Sequence, residues 1–166
     1  MALFREHEHE QDHTYRVAEL GCGAHAPFHS LFHGRDGFQV HKFDLQRWDS
    51  DTTVTDLNHP DWQAPDTDIA VFSGVLEYLD DLRRVLHRSM ARSRYLLISY
   101  AFVPAARCVD DASYLAEINL RAVRHGWRNH HSAGDMVRII SDVGVISAVG
   151  QWRRDQSLFL VRNHSV

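Results

Sequence analysis

A chain of 166 residues, 44% hydrophobic and 24% charged, has material for one compact domain with a sizeable core and too little for two. Its formal net charge of -4 at pH 7 supplies no basic field, which argues against a nucleic-acid partner. No apolar stretch reaches the roughly 18 residues of a membrane span, and MALFREHEHEQDH lacks the apolar centre of a secretory signal, so the expectation is a cytoplasmic protein without membrane contact.

In chain order, residues 1–13 read as a flexible polar lead-in and residues 14–166 as a single domain. Tyr15–Leu20 is a buried strand stopped by Gly21. Pro27 suits the first turn of a helix over 27–33, with Phe28, Leu31 and Phe32 on its core face and Gly34 and Gly37 closing it. Residues 38–45 and 52–57 read as the second and third strands, and QRWDSD between them leaves little room for a full helix. Residues 68–73 form a fourth strand, continuously apolar as expected where both faces of a sheet are covered. A helix with Leu79, Leu82, Val85, Leu86 and Met90 at core spacing follows, then a fifth strand over 95–102. A helix over 113–125 ends at Gly126. Ser132 caps the next helix, with Asp135 in its first turn, a stripe of Met136, Ile139, Ile140 and Val143, and Gly144 as its stop. Segments 145–152 and 156–161, separated by RRD, close the chain as a hairpin.

Strands alternating with helices predict an α/β sandwich around a mostly parallel sheet, with a final antiparallel strand inserted by the hairpin. In such sheets a ligand lies beyond the carboxyl ends of the strands, where the strand order reverses. The turn ELGCGAHA, residues 19–26, falls there. Gly21 and Gly23 let the backbone take positive φ and approach a ligand without a Cβ in the way. The helix behind them aims free amides at the same spot, which favours a carboxylate or phosphate. GCGAHA satisfies G-x-G-x-x-A, so a dinucleotide is permitted, with Asp44 on its ribose. Glu19 argues otherwise. A carboxylate beside two phosphates is repelled, whereas beside a cationic amino-acid ligand it is attractive.

ELGCGAH resembles the acid-x-Gly-x-Gly signature of the class I S-adenosylmethionine-dependent methyltransferases, and the resemblance spans nearly the whole chain. It implies a Rossmann-like three-layer sandwich with S-adenosylmethionine as cofactor. It places Glu19, Gly21, Cys22 and Gly23 around the cofactor's methionine end and Asp44 on the ribose. TDLN resembles the adenine-contacting segment, with Asp56 toward the amino group and Leu57 against the ring. DIAVFSGVLEYLDDL resembles the fourth strand and its turn, so that Ser73 and Gly74 line the methionine end and 76–78 face the reacting methyl. His25 stands where the family often has a small residue, the second crossover is short, and no N-terminal lid helix is evident.

A hydroxyl acceptor profits from a general base poised near neutral pH. The loop GWRNHHS supplies His130 and His131 as base or acceptor contacts, with Trp127 walling the pocket; the plainer alternatives are solvated or capping histidines and a core tryptophan. Glu77 is a second base candidate, or an exposed acid near a helix start. His25, His29 and His33 recur every four residues, but no cysteine or acid cluster completes a set, so no metal site is expected. Cys22 and Cys108 have no metal spacing and read as free thiols of a reducing compartment. The reading is a methyltransferase acting on a small-molecule or sugar hydroxyl, the sugar resting on the likeness of GWRNHHS to methyltransferase-like proteins of polysaccharide assembly. Its rivals are a non-catalytic methyltransferase-like module that binds the cofactor, or nothing, and serves a partner protein, and a nicotinamide-dependent reductase; a homodimer or a partner protein is a further expectation.

Overall fold

A computed structural model describes residues 13–102, 112–153 and 156–165. The lead-in before His13 and the thiol of Cys108 lie outside the described residues. Seven strands form one sheet: β1 (Tyr15–Leu20), β2 (Phe38–Asp44), β3 (Thr52–Val54), β4 (Ile69–Phe72), β5 (Tyr95–Ala101), β6 (Val145–Arg153) and β7 (Gln156–Arg162). Their order is β3-β2-β1-β4-β5-β7-β6. The first five are parallel, while β7 runs antiparallel between β5 and β6, as the closing hairpin predicts. The chain winds outward from β1 through β2 to β3, then returns to the other side of β1 for β4. That reversal opens a crevice at the carboxyl ends of β1 and β4.

Helices α1 (Pro27–Phe32), α2 (Leu82–Met90), α3 (Ala112–His125) and α4 (Ala133–Ser141) complete the fold. Strand periodicity divides the sheet residues between two cores. Ala18, Leu20, Ala70, Phe72, Leu96 and Ile98 pack with α2 and α4, while Val17, Ile69, Val71 and Tyr95 pack on the other face with Phe28 of α1. The same alternation puts Glu19 on the Val17 side, toward α1. Ser132 caps α4 in a reciprocal box with Asp135, as read from the sequence.

Four expectations are corrected. The third strand stops at Val54, and residues 55–57 leave the sheet as a loop. The segment after β4 is a separate 3₁₀ turn, Leu76–Tyr78, before α2 begins with Asp81 as its cap. Leu31 is 48% exposed; α1 is six residues long, less than two turns, and of its side chains only Phe28 is buried. Gly144 is required by packing rather than as a helix stop: a Cβ there would lie 2.6 Å from the Arg162 carbonyl and 2.8 Å from Met90.

Candidate active site

The glycine turn is fastened to the end of β2. The amides of Gly21 and Cys22 donate to the Phe43 carbonyl at 2.8 and 3.1 Å, and the Gly23 amide donates to Asp44 Oδ2 at 2.8 Å. Gly21 and Gly23 both have positive φ, +72° and +60°, yet they are glycine for different reasons. A Cβ on Gly21 would sit 2.2 Å from Val75 Cγ2, whereas a Cβ on Gly23 would meet nothing within 4 Å. The first admits Val75 against the turn. The second leaves open space.

Ala26 occupies the cap position before α1; its φ of +34° is left-handed and its side chain cannot cap. Glu19 supplies the cap from the strand: Oε1 accepts the Phe28 amide at 2.9 Å and Oε2 the His29 amide at 2.8 Å. This places a carboxylate at the positive end of the helix. Glu19 is fully buried. Burial pushes its carboxyl above the usual range, opposed by the two amides and by Lys42.

Beyond the turn lies a cleft of about 460 Å³, the size of a small-molecule site. Gly21, Cys22 and Gly23 form its floor; Asp44, Leu45, Gln46 and Trp48 rise after β2; Thr55, Asp56, Leu57 and Asn58 come from the loop after β3; and Ser73, Gly74, Val75, Tyr78 and Leu79 follow β4. Asp44 Oδ1 also accepts the Gln46 amide at 3.0 Å, and Asp56 Oδ1 accepts the Asn58 amide at 2.8 Å. The Gly74 amide donates to Ser99 Oγ at 2.8 Å. Asn58 stitches two walls together, donating to the Tyr78 carbonyl at 3.2 Å and accepting the Asp80 amide at 2.9 Å. Arg84 of α2 donates to the carbonyls of Leu57, Asn58 and His59, holding that loop in place. The Cys22 thiol is pushed up to about 11 by burial and by the carboxylates of Asp44 and Glu19, so it stays a neutral thiol at pH 7.

The structure therefore gathers Gly21, Cys22, Gly23, Asp44, Asp56, Leu57, Ser73 and Gly74 around one cleft. It does not bring Glu19, Glu77, His130 or His131 to that wall. Of residues 76–78 only Tyr78 lines it; Leu76 belongs to the core. Glu77 is buried, not an exposed acid, and its Oε1 accepts the Ala101 amide at 2.8 Å, tying the 3₁₀ turn to the end of β5.

The histidine loop packs behind that turn. The Asn129 side-chain amide donates to the Leu76 and Leu79 carbonyls at 2.8 and 2.9 Å. The Tyr100 hydroxyl donates to Asn129 Oδ1 at 2.6 Å and accepts the His131 amide at 3.0 Å. Trp127 is half-buried, under the Arg121 guanidinium at 5.2 Å and 6.3 Å from the His130 ring. His130 Nδ1 is buried with no hydrogen-bond partner among the described residues. Burial is the first cause holding both imidazoles below the ordinary value, with Arg121 and His131 adding to it at His130 and Arg83 at His131. Both rings are neutral at pH 7 and can accept a proton.

The sequence reading gives no role to Leu45, Trp48 or Val75 in the cleft, or to Asn129 in the histidine loop, whereas Asn58 and Tyr78 fall within segments it places there. Large apolar residues in a short polar loop, LQRWDSD, were the available signal for Leu45 and Trp48. His25 is exposed, and the rings of His29 and His33 lie 4.6 Å apart. Among the described residues no group of three metal-ligating side chains forms.

Residues 3–145 match the profile of a family described as a methyltransferase domain. No curated protein matches the chain. Among solved structures, CalO1, a methyltransferase in calicheamicin biosynthesis with SAH bound, is 18% identical with a TM-score of 0.63, over 89% of this chain and 48% of that one. A S-adenosylmethionine-dependent methyltransferase from Mesorhizobium loti is 18% identical with a TM-score of 0.67 over 92% of both chains. An O-methyltransferase family 2 protein from Planctomyces limnophilus, in complex with apigenin, is 11% identical with a TM-score of 0.70, over 92% of this chain and 51% of that one. The chain thus spans about half the length of several structures it matches, and at these identities the likeness is one of fold.

Proposed function

This chain belongs to the methyltransferase-domain family, and from that premise we propose that it transfers a methyl group from S-adenosylmethionine to a hydroxyl of a small molecule or sugar. The observation that carries the reading is the cleft itself: a turn left bare at Gly23, an acid at the end of β2, and apolar walls, all at the reversal of strand order. These features suit a ligand that is polar at one end and flat at the other.

When bound, S-adenosylmethionine supplies a methyl group already activated by a positively charged sulfur. The protein's share is alignment and exclusion of water, worth roughly 7–11 kcal/mol when geometry is well held. Gly23 gives backbone access for the methionine portion, next to the neutral Cys22 thiol. Asp44, with one oxygen engaged by Gly23 and the other by Gln46, receives the ribose hydroxyls through its remaining lone pairs. Asp56 and Leu57 take the adenine edge and face, and Ser73 and Gly74 the methionine end. Glu19 acts indirectly, by fixing the start of α1 beneath the turn.

For the acceptor, His131 or His130 takes the hydroxyl proton as the methyl moves, since both are neutral at pH 7 and belong to the loop docked behind Leu76 and Leu79. Glu77, bonded to the Ala101 amide, serves instead as a strut for that turn. The test is transfer of labelled methyl from S-adenosylmethionine to a panel of phenols and sugar alcohols. Turnover with any of them, lost in the double variant His130→Gln/His131→Gln, supports the assignment. Turnover unchanged in that variant removes both histidines from the chemistry.

A second reading, a cofactor-binding module serving a partner protein, draws on one observation: neither histidine lines the cleft. Binding of the demethylated product with no transfer to any acceptor favours it. The nicotinamide reading has no support from the family.

A further inference from the structure

Near the end of α3, Arg121 turns a charged side chain toward the sheet, and that side chain is only 17% exposed. Its guanidinium donates to the carbonyl of Phe102, the residue that follows β5, at 3.3 Å and to Glu117 Oε1 at 2.7 Å. Gly126 ends the helix at a φ of +71°. Directly after it Trp127 lies under the guanidinium, 5.2 Å from Cζ to the ring centre. The His130 ring is 6.3 Å from the same indole. A cation, an indole and an imidazole thus meet past the carboxyl end of β5, on the same edge of the sheet as the cleft, since β4 and β5 are parallel.

A guanidinium carries five N–H donors. Among the described residues Arg121 uses two of them. Its partner Glu117 stands one helical turn away and is part-exposed, a weak kind of ion pair that a better-placed carboxylate displaces. The indole and the Phe102 carbonyl hold the cation in place without neutralising it. A planar cation stacked on an indole suits a carboxylate carried by a flat ring: two parallel N–H groups take the carboxylate, and the ring continues along the aromatic face. A sugar or a plain phenol offers the guanidinium no anion and leaves its spare donors unmet.

We propose that Arg121 is a specificity-determining residue for the acceptor, selecting a hydroxyl compound whose aromatic ring carries a carboxylate, with Trp127 against that ring. The proposal rests on the reading of the histidine loop as the acceptor side of a methyltransferase, and it narrows the acceptor from any small-molecule or sugar hydroxyl to an aryl hydroxy acid.

The experiment is calorimetry of the full chain, saturated with S-adenosylhomocysteine, against the three hydroxybenzoates and their neutral hydroxybenzamides. The wild-type chain binds at least one hydroxybenzoate about tenfold or more tighter than its amide. Arg121→Gln erases that preference, and Arg121→Lys keeps part of it. Glu117→Gln, which removes the competing carboxylate, increases the preference, and it carries the test alone if Arg121→Gln does not fold. Equal binding of acid and amide by the wild-type chain overturns the proposal. So does an unchanged preference in Arg121→Gln, because a general structural effect weakens both compounds alike, or a reduced preference in Glu117→Gln, which would make the pair a structural brace. A separate transfer assay with labelled S-adenosylmethionine keeps the two readings apart. Arg121-dependent binding of the acid without methylation of any hydroxybenzoate upholds this anion site and overturns the transfer to an aryl hydroxy acid.

Discussion

The turn Leu76–Leu79 is shared by the cleft, which Tyr78 and Leu79 line, and by the histidine loop, which is bonded to its carbonyls, and the two regions spend their polar groups differently. In the cleft, carboxylates at strand ends hold backbone amides and keep acceptor capacity, as at Asp44 and Asp56. Around the loop 127–131, Asn129, the Tyr100 hydroxyl of β5 and the His131 amide bond to one another, and Asn129 bonds to the turn. A binding site needs groups prepared but unfinished. A brace needs them finished. The cleft has the first character and the histidine loop, outside the imidazoles, the second.

The largest expected effect separates the two glycines within the cleft. Gly21→Val places a branched side chain at positive φ and against Val75, 2.2 Å from the added Cβ. It should cost about 3 kcal/mol of stability and abolish binding of S-adenosylhomocysteine. Gly23→Ala, with open space around its Cβ, should cost only about 1 kcal/mol of stability and still weaken binding. Thermal melts and calorimetry on the pair distinguish a folding glycine from a ligand glycine, and equal behaviour of the two would erase that distinction.

Next in size is the contrast between sides. Asp44→Ala should weaken nucleoside binding by about 1–3 kcal/mol through lost charge-assisted hydrogen bonds. Asn129→Ala should lower stability by about 1–3 kcal/mol, since it strands the Leu76 and Leu79 carbonyls, while leaving affinity for S-adenosylhomocysteine close to that of the wild type. Should Asn129→Ala lose affinity without losing stability, the loop is part of the donor site rather than its brace.

The smallest effect is one of pH. His130 and His131 sit below their ordinary value of 6.5. The unfolded chain therefore binds protons that the folded one refuses, so their contribution is complete above about 6.5 and declines as pH falls below it. Thermal midpoints of wild type and the His130→Gln/His131→Gln variant should converge in the variant's favour between about pH 7.5 and about pH 5. Glu19 works in the opposite sense, its raised carboxyl losing stability as pH climbs past 4.5. If catalysis uses either histidine as base, kcat/KM rises with pH and levels off by about 6.5.

How much of this was legible in the sequence differs by region. Strand-length apolar runs and the closing hairpin fixed the sheet, because both faces are buried and period and length agree. The glycine turn, Asp44, TDLN and Ser73–Gly74 could be read because each is a short segment at the end of a strand, where topology alone brings them together. Glu19 was legible as an acid but not in its task. Ala26 leaves α1 without a cap, and the strand's alternation aims Glu19 at the vacancy, an inference that needs the register as well as the motif. Glu77, Asn129 and Val75 were opaque, since each acts on a partner 24 to 54 positions away. Local sequence carries no mark of such pairings.

The central claim is that the cleft receives the nucleoside and methionine portions of one ligand. Titrating the wild-type chain with S-adenosylhomocysteine by calorimetry tests it most directly: one site per chain with measurable heat, weakened in both Gly23→Ala and Asp44→Ala, is the expected result. Absence of heat from a folded chain, or equal binding by all three proteins, would contradict it.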